Sequence, residues 1–197
     1  MPQKGSGKGR TGEKGSGRPL SKRDLEQLFA DRGFGDFRWI EPRQIVVAEW
    51  VRMKCLYGCV DYGKNAACPP NAPRIDDCRR FLREYRRAVV FHFPKKVDRP
   101  EDRHPWSRKL NLQLVKMEQD LFKAGFVKVF LLPFDSCNLC LDCPGVRTAC
   151  KEPKLARPSP DALGIDVFTT VRKLGYPIEV LADYGREMNR YAFLLVD

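Results

Sequence analysis

The chain has 197 residues, 43% of them apolar, and a formal net charge of +11. That length suits one compact domain with a real core and a flexible extension. It also argues against a membrane-spanning helix: the apolar run Phe126 to Phe134 is broken by Lys128 and falls far short of the roughly 20 residues a span needs.

Residues 1–19 are rich in Gly, Ser, Lys and Arg and almost lack apolar side chains, so they are expected to form a disordered basic tail carrying about +4 of the charge. Their Gly and Lys content resembles a phosphate loop only superficially, because neither Lys8 nor Lys14 is followed by Ser or Thr. With no hydrophobic signal stretch there, a cytoplasmic location is expected. Residues 20–197 are expected to form a single metal-binding domain of about +7. Such a field suits an acidic protein, nucleic acid or an anionic substrate alike.

Ser21 is a candidate cap for a helix carrying Leu25, Leu28 and Phe29 and ending near Gly33. Ile45 to Val51, rich in β-branched residues, reads as a strand leading to Cys55. Ile75, Cys78, Leu82 and Tyr85 have helical spacing, and Ala88 to Phe93 reads as a strand. Leu110, Leu114, Met117 and Leu121 form an apolar helical stripe closed by Gly125, followed by a strand over Phe126 to Phe134. Strand, helix and strand in that order predict a crossover with the two strands parallel. Ser159 and Pro160 mark a helix start, with a break at Gly164 and an end near Leu174. Ile178 to Leu181 and Tyr191 to Val196 are expected as closing strands. The fold class is therefore α+β, an α/β sandwich with a mixed sheet of about five strands and cysteine-rich loops at strand ends.

The eight cysteines fall in two tight groups, which in a reducing compartment read as metal ligands rather than four disulfides. The second group is Cys137, Cys140 and Cys143, then Cys150. Three thiolates at successive three-residue intervals wrap a loop around a compact cubane, with loop amides free to bond the sulfurs. Zinc usually takes two separated pairs, so this run favours a [4Fe–4S] cluster, with zinc as the alternative. The pattern is similar to that of bacterial ferredoxins, except that the fourth cysteine stands seven residues on and the proline, Pro144, follows the third. Cys150 therefore either closes its own group or serves the first one.

The first group is Cys55, Cys59, Cys68 and Cys78, and its spacing is less diagnostic. Tyr62 to Lys64 and Pro69-Pro70 are expected to turn the chain so that Cys68 returns towards Cys55 and Cys59. Cys78 reads equally as a ligand or as a buried apolar residue of its helix. In the second case the first cluster has three thiolates and one iron open to substrate.

Taken in order, Cys55 and Cys59, Tyr62 to Lys64, Cys68 to Pro70, Cys78 with Arg79, Cys137 to Cys143, Cys150, Arg157 to Ser159 and Gly164 to Val167 resemble an uncharacterised family of predicted metal-binding proteins from anaerobic bacteria and archaea. The resemblance covers about residues 43 to 197 and implies metal binding without an established reaction.

Elsewhere the plain readings prevail. His92 and His104 read as core or solvent residues, and Trp39, Trp50 and Trp106 as packing. Arg79-Arg80 and Arg86-Arg87 read as a solvated face. Arg157 and Ser159 read as helix capping, with anion binding as the minority view. The functional expectation is an iron–sulfur protein, holding one or two [4Fe–4S] clusters, that passes electrons to a partner protein or cofactor. One alternative is an enzyme with an open iron near Tyr57, Tyr62 or Lys64. The other is a zinc-stabilised module that binds nucleic acid or protein.

Overall fold

The computed structural model describes residues 20–183 and 185–197, so the expected tail lies outside the described residues. Ser21 caps helix α1 (Lys22–Asp31) with a reciprocal capping box, its Oγ accepting from Asp24 N and its own N–H donating to the Asp24 carboxylate. Strand β1 (Phe37–Ile40) follows, then helices α2 (Glu49–Gly58) and α3 (Ile75–Arg83) and strand β2 (Ala88–Lys95). The long helix α4 (Arg103–Lys123) leads to β3 (Val129–Leu132), and α5 (Val167–Lys173) and β4 (Met188–Val196) complete the order.

The strands form one sheet in the order β1-β2-β4-β3, and each neighbouring pair is antiparallel. Both faces of the sheet are covered. Val89, Phe91, Ala192, Leu194 and Leu131 face α1 and α4, meeting Leu25, Phe29, Leu114, Met117 and Leu121. Ala88, Val90, Phe193, Leu195 and Leu132 face the other way and pack on Cys78, Leu82, Ile165 and Val171. Two covered faces explain why β2 and β4 read as continuous apolar runs rather than as alternation. Each large side chain buried here contributes about 1.5–3 kcal/mol of transfer free energy before ordering costs.

The α+β class stands, and three local expectations do not. Ile45 to Val51 is not a sheet strand: residues 45–48 are extended, with Val47 bridged to Ile165, and helix α2 begins at Glu49. The β-branched Ile-Val-Val run is short, and Glu, Trp, Arg, Met, Lys and Leu follow, which a helix accommodates well. Residues 178–181 are irregular, with Val180 81% exposed and so lacking the burial a closing strand needs. The fourth strand is β1 instead, where Trp39 packs inward and Arg38 lies more exposed. Finally, β2 and β3 do point the same way, as the crossover requires, but β4 lies hydrogen-bonded between them. The sheet is thus antiparallel throughout rather than mixed.

Candidate metal centre

Helix α2 carries Cys55 in its last turn and Cys59 at its C-cap. The four-residue interval places both thiols on one side of the helix end. The helix is pinned by Arg52, whose Nη2 donates to Pro73 O at 3.0 Å and Ala162 O at 2.9 Å. Beyond Cys59 the chain turns back on itself: Tyr62 N–H donates to Cys59 O, and Gly63 N–H donates to Pro69 O at 3.2 Å. Cys68 therefore lies beside Cys55 and Cys59. Burial first, and then the neighbouring thiols Cys55, Cys59 and Cys137, push the Cys68 pKa up to about 12. Burial, then Asp161, raises that of Cys55.

The second loop leaves the end of β3 through Asp135, which has a left-handed backbone at φ 61°. Helix α4 holds this loop along its length. Arg103 Nη2 donates to Asp135 Oδ1 at 2.6 Å, Asn111 Nδ2 to Phe134 O at 2.8 Å, and Arg108 to the carbonyls of Asn138 and Leu139. Cys137, Cys140, Cys143 and Cys150 line one small recess. Cys150 thus stands with its own group. Burial raises the pKa of Cys137, opposed by the backbone N–H groups of Leu139 and Arg157, which favour its thiolate. Arg157 is itself fixed by the buried Glu118, whose carboxylate accepts from its Nε at 2.9 and 2.8 Å and from Leu131 N at 2.9 Å. The Arg157 guanidinium is therefore engaged, and Ser159 Oγ accepts from Ala162 N, which leaves the capping reading rather than the anion reading for this pair.

The two loops are fastened to each other. Asn65 Nδ2 donates to Cys137 O at 2.6 Å, Asn71 Nδ2 to Gly145 O at 2.8 Å, and Ala66 N–H to Cys143 Sγ at 3.4 Å. Gly145, at φ 74°, permits this approach, since a Cβ there would lie 3.0 Å from Gly63 O. Between the loops opens a cavity of about 590 Å³ whose wall includes Cys55, Cys59, Cys68, Cys137, Cys140 and Cys143. All eight cysteines are free thiols. Cys78 is apart from the rest: it is 1% exposed in the core against Leu82 and Ile165, and its thiol points to Pro73 O at 3.8 Å. Among the described residues, no three His, Cys, Asp or Glu side chains meet closely enough to hold a single metal ion.

Apart from Ser159, the far wall of the cavity was not read from the sequence. It brings Arg103, Asp135, Ser159, Asp161, Asn189 and Arg190 together from α4, the β3 loop, the turn before α5 and β4. Asp161 is exposed on the cavity wall, and the protein around it raises its carboxyl pKa despite its own backbone N–H. Arg190 is held below the usual arginine range, first by burial and then by the nearby Arg103 cation, against the pull of Asp135 and Asp161. His92 lies behind this wall with its ring nitrogens 2.6 Å from Asp36 Oδ2 and 2.7 Å from Asn189 Oδ1. His92 is thus a strand residue in a polar network, and His104 is exposed at the start of α4. Tyr62 and Lys64 lie on the cavity wall, whereas Tyr57 is 84% exposed.

The fold and this site define an α+β protein whose two cysteine loops are joined over one cavity. The chain belongs to the family described as "Predicted metal-binding protein (DUF2284)", whose model matches residues 38–196. No curated protein and no solved structure matches it. Among the described residues no helix is long and apolar enough to cross a membrane.

Proposed function

We propose that the chain is an iron–sulfur protein of the cytoplasm that receives and passes on single electrons. Cys137, Cys140, Cys143 and Cys150 would hold one [4Fe–4S] cluster, and Cys55, Cys59 and Cys68 a second. A bound cluster supplies reversible one-electron chemistry at a potential set by its ligands and hydrogen bonds. The observation that carries the reading is that seven thiols open on one cavity or its adjoining recess, with Cys137 near enough to Cys68 to raise its pKa.

The donor set fits such a group. All seven are soft sulfur donors, and they lie spread around a space, as suits a cofactor that brings its own iron and sulfide. Sulfurs on one zinc ion, at about 2.3 Å from it, would instead meet at a point. Ala66 N–H aimed at Cys143, and the amides of Leu139 and Arg157 aimed at Cys137, are the kind of bonds that favour thiolate and tune potential. Tyr57 and Val60, each 84% exposed, and Leu141, fully exposed, flank the two groups and suit docking of a redox partner. The basic body favours an acidic partner.

A second reading, that the first group serves a reaction on a small substrate, is favoured by the position of Cys78. With that thiol in the core, the first group presents three thiols to the cavity, and Tyr62 and Lys64 stand on its wall.

Anaerobic purification with iron, sulfide and zinc analysis tests both. About eight irons per chain and visible absorbance that bleaches with dithionite are expected. Cys78→Ala should keep that iron, and Cys68→Ala should lower it to about four. A colourless protein holding zinc would overturn the proposal in favour of a zinc-stabilised module. Salt-sensitive nucleic-acid binding would then be the next measurement.

A further inference from the structure

Arg103 and Arg190 line the cavity and Arg157 stands beside the second cysteine loop; of these, Arg103 and Arg157 are ion-paired. Arg103 is paired with Asp135 at 2.6 Å and Arg157 with Glu118 at 2.8 Å. Arg190 is different. It projects from strand β4 onto the cavity wall, and its Nε, like that of Arg103, is shielded from solvent without a hydrogen-bond partner, but it has no ion pair among the described residues to offset this. Its Nη2 donates only to Met188 Sδ, at 3.7 Å, a weak acceptor. Among the described residues no carboxylate lies within ion-pair distance of it. A partly buried guanidinium with a shielded Nε left unanswered is costly unless something in the cavity meets its fork.

From this we infer that the cavity holds a small carboxylate ligand, bound through Arg190 opposite the first cysteine group. The planar guanidinium fork matches a carboxylate in two parallel bonds. Charge favours a single negative group. With Arg103 committed to Asp135, Arg190 is, among the described residues, the one cation of the far wall without an ion pair, while Asp135 and Asp161 repel any excess negative charge. A phosphate dianion is therefore the poorer fit. Val167, Phe168, Ile178 and Tyr191 supply apolar wall, so the rest of the ligand is apolar. The arrangement would set that ligand between Arg190 and Cys55, Cys59 and Cys68, and in this respect the inference rests on the second reading above.

The experiment uses the full chain prepared without air, with iron measured in every sample. Hexanoate and benzoate are titrated by calorimetry, with inorganic phosphate as the rival anion. At least one carboxylate should bind, more tightly than phosphate, and Arg190→Gln should weaken it by at least about tenfold. Arg190→Lys, which keeps the charge and loses the fork, serves as the second variant if circular dichroism shows Arg190→Gln unfolded, and should weaken binding several-fold. Failure of both carboxylates to bind, equal binding to the variants, or tighter binding of phosphate overturns the inference. Because iron is assayed separately, a chain that binds carboxylate without iron would sink only the cluster reading. A chain with full iron and no carboxylate binding would sink only this one.

Discussion

Glu118 shows how a single buried charge positions the site. It is 3% exposed on α4, bonded to Leu131 of β3 and to Arg157, whose backbone N–H faces Cys137. Glu118→Ala leaves the Arg157 guanidinium without its partner and the Leu131 amide without an acceptor. The expected loss is about 3–5 kcal/mol in denaturant unfolding, because one half of a buried pair is left behind. Tyr176 carries a pH dependence with a definite sign. Burial first, and then its hydrogen bond to Asp36 at 3.0 Å, raises its phenol from 10.0 to about 12. Below pH 10 the phenol is neutral in folded and unfolded chains, so this group leaves stability unaffected there. Between pH 10 and about 12 the unfolded chain releases the proton first, and stability falls through that window. Urea midpoints across alkaline pH should show this decline, and Tyr176→Phe should make it shallower, the remainder coming from Tyr85, Tyr191 and Cys68, whose pKa values burial also raises.

At the level of elements, Gly164 joins the turn before α5 to the loop beside α2. It has φ 75°, its carbonyl accepts from Ala48 N at 2.9 Å, and a Cβ there would collide with Ile75 Cδ1 of α3. Gly164→Ala is expected to cost about 2 kcal/mol, from left-handed backbone strain and the displaced isoleucine, as a lower thermal midpoint. Helices α1, α3 and α4 were legible because each shows apolar residues at helical spacing with a cap or stop. Strands β2, β3 and β4 were legible as apolar runs. The helix α2 was misread because Ile45 to Val47 is β-branched, and β1 was unread because four residues give too little pattern. The cysteine groups were legible as local spacings, and the return of Cys68 followed from its turn residues. Arg190, Asp161 and Asn189 left no such trace: their meeting depends on β4 lying between β2 and β3, which no local pattern encodes.

For the molecule as a whole, the two cores and the cysteine loops rest on different forces. The sheet is sealed on both faces by apolar side chains, with Val89, Phe91, Ala192 and Leu194 all fully buried. That packing uses the Cys78 thiol but needs nothing from the seven others. The loops are held by a few polar bonds, chiefly from Asn65, Asn71 and Arg108, most of them at partly exposed sites, and, in the proposed reading, by the metal the thiols would bind. Removing metal should therefore act regionally. In hydrogen exchange, the amides of 65–68 and 137–150 should lose protection by at least about tenfold when the anaerobic protein is stripped by a chelator, while β2 and β4 keep theirs. Equal loss throughout would mean that the metal supports the entire fold. Unchanged loops would mean that Asn65 and Asn71 hold them without it, and that the order of the loops does not depend on metal.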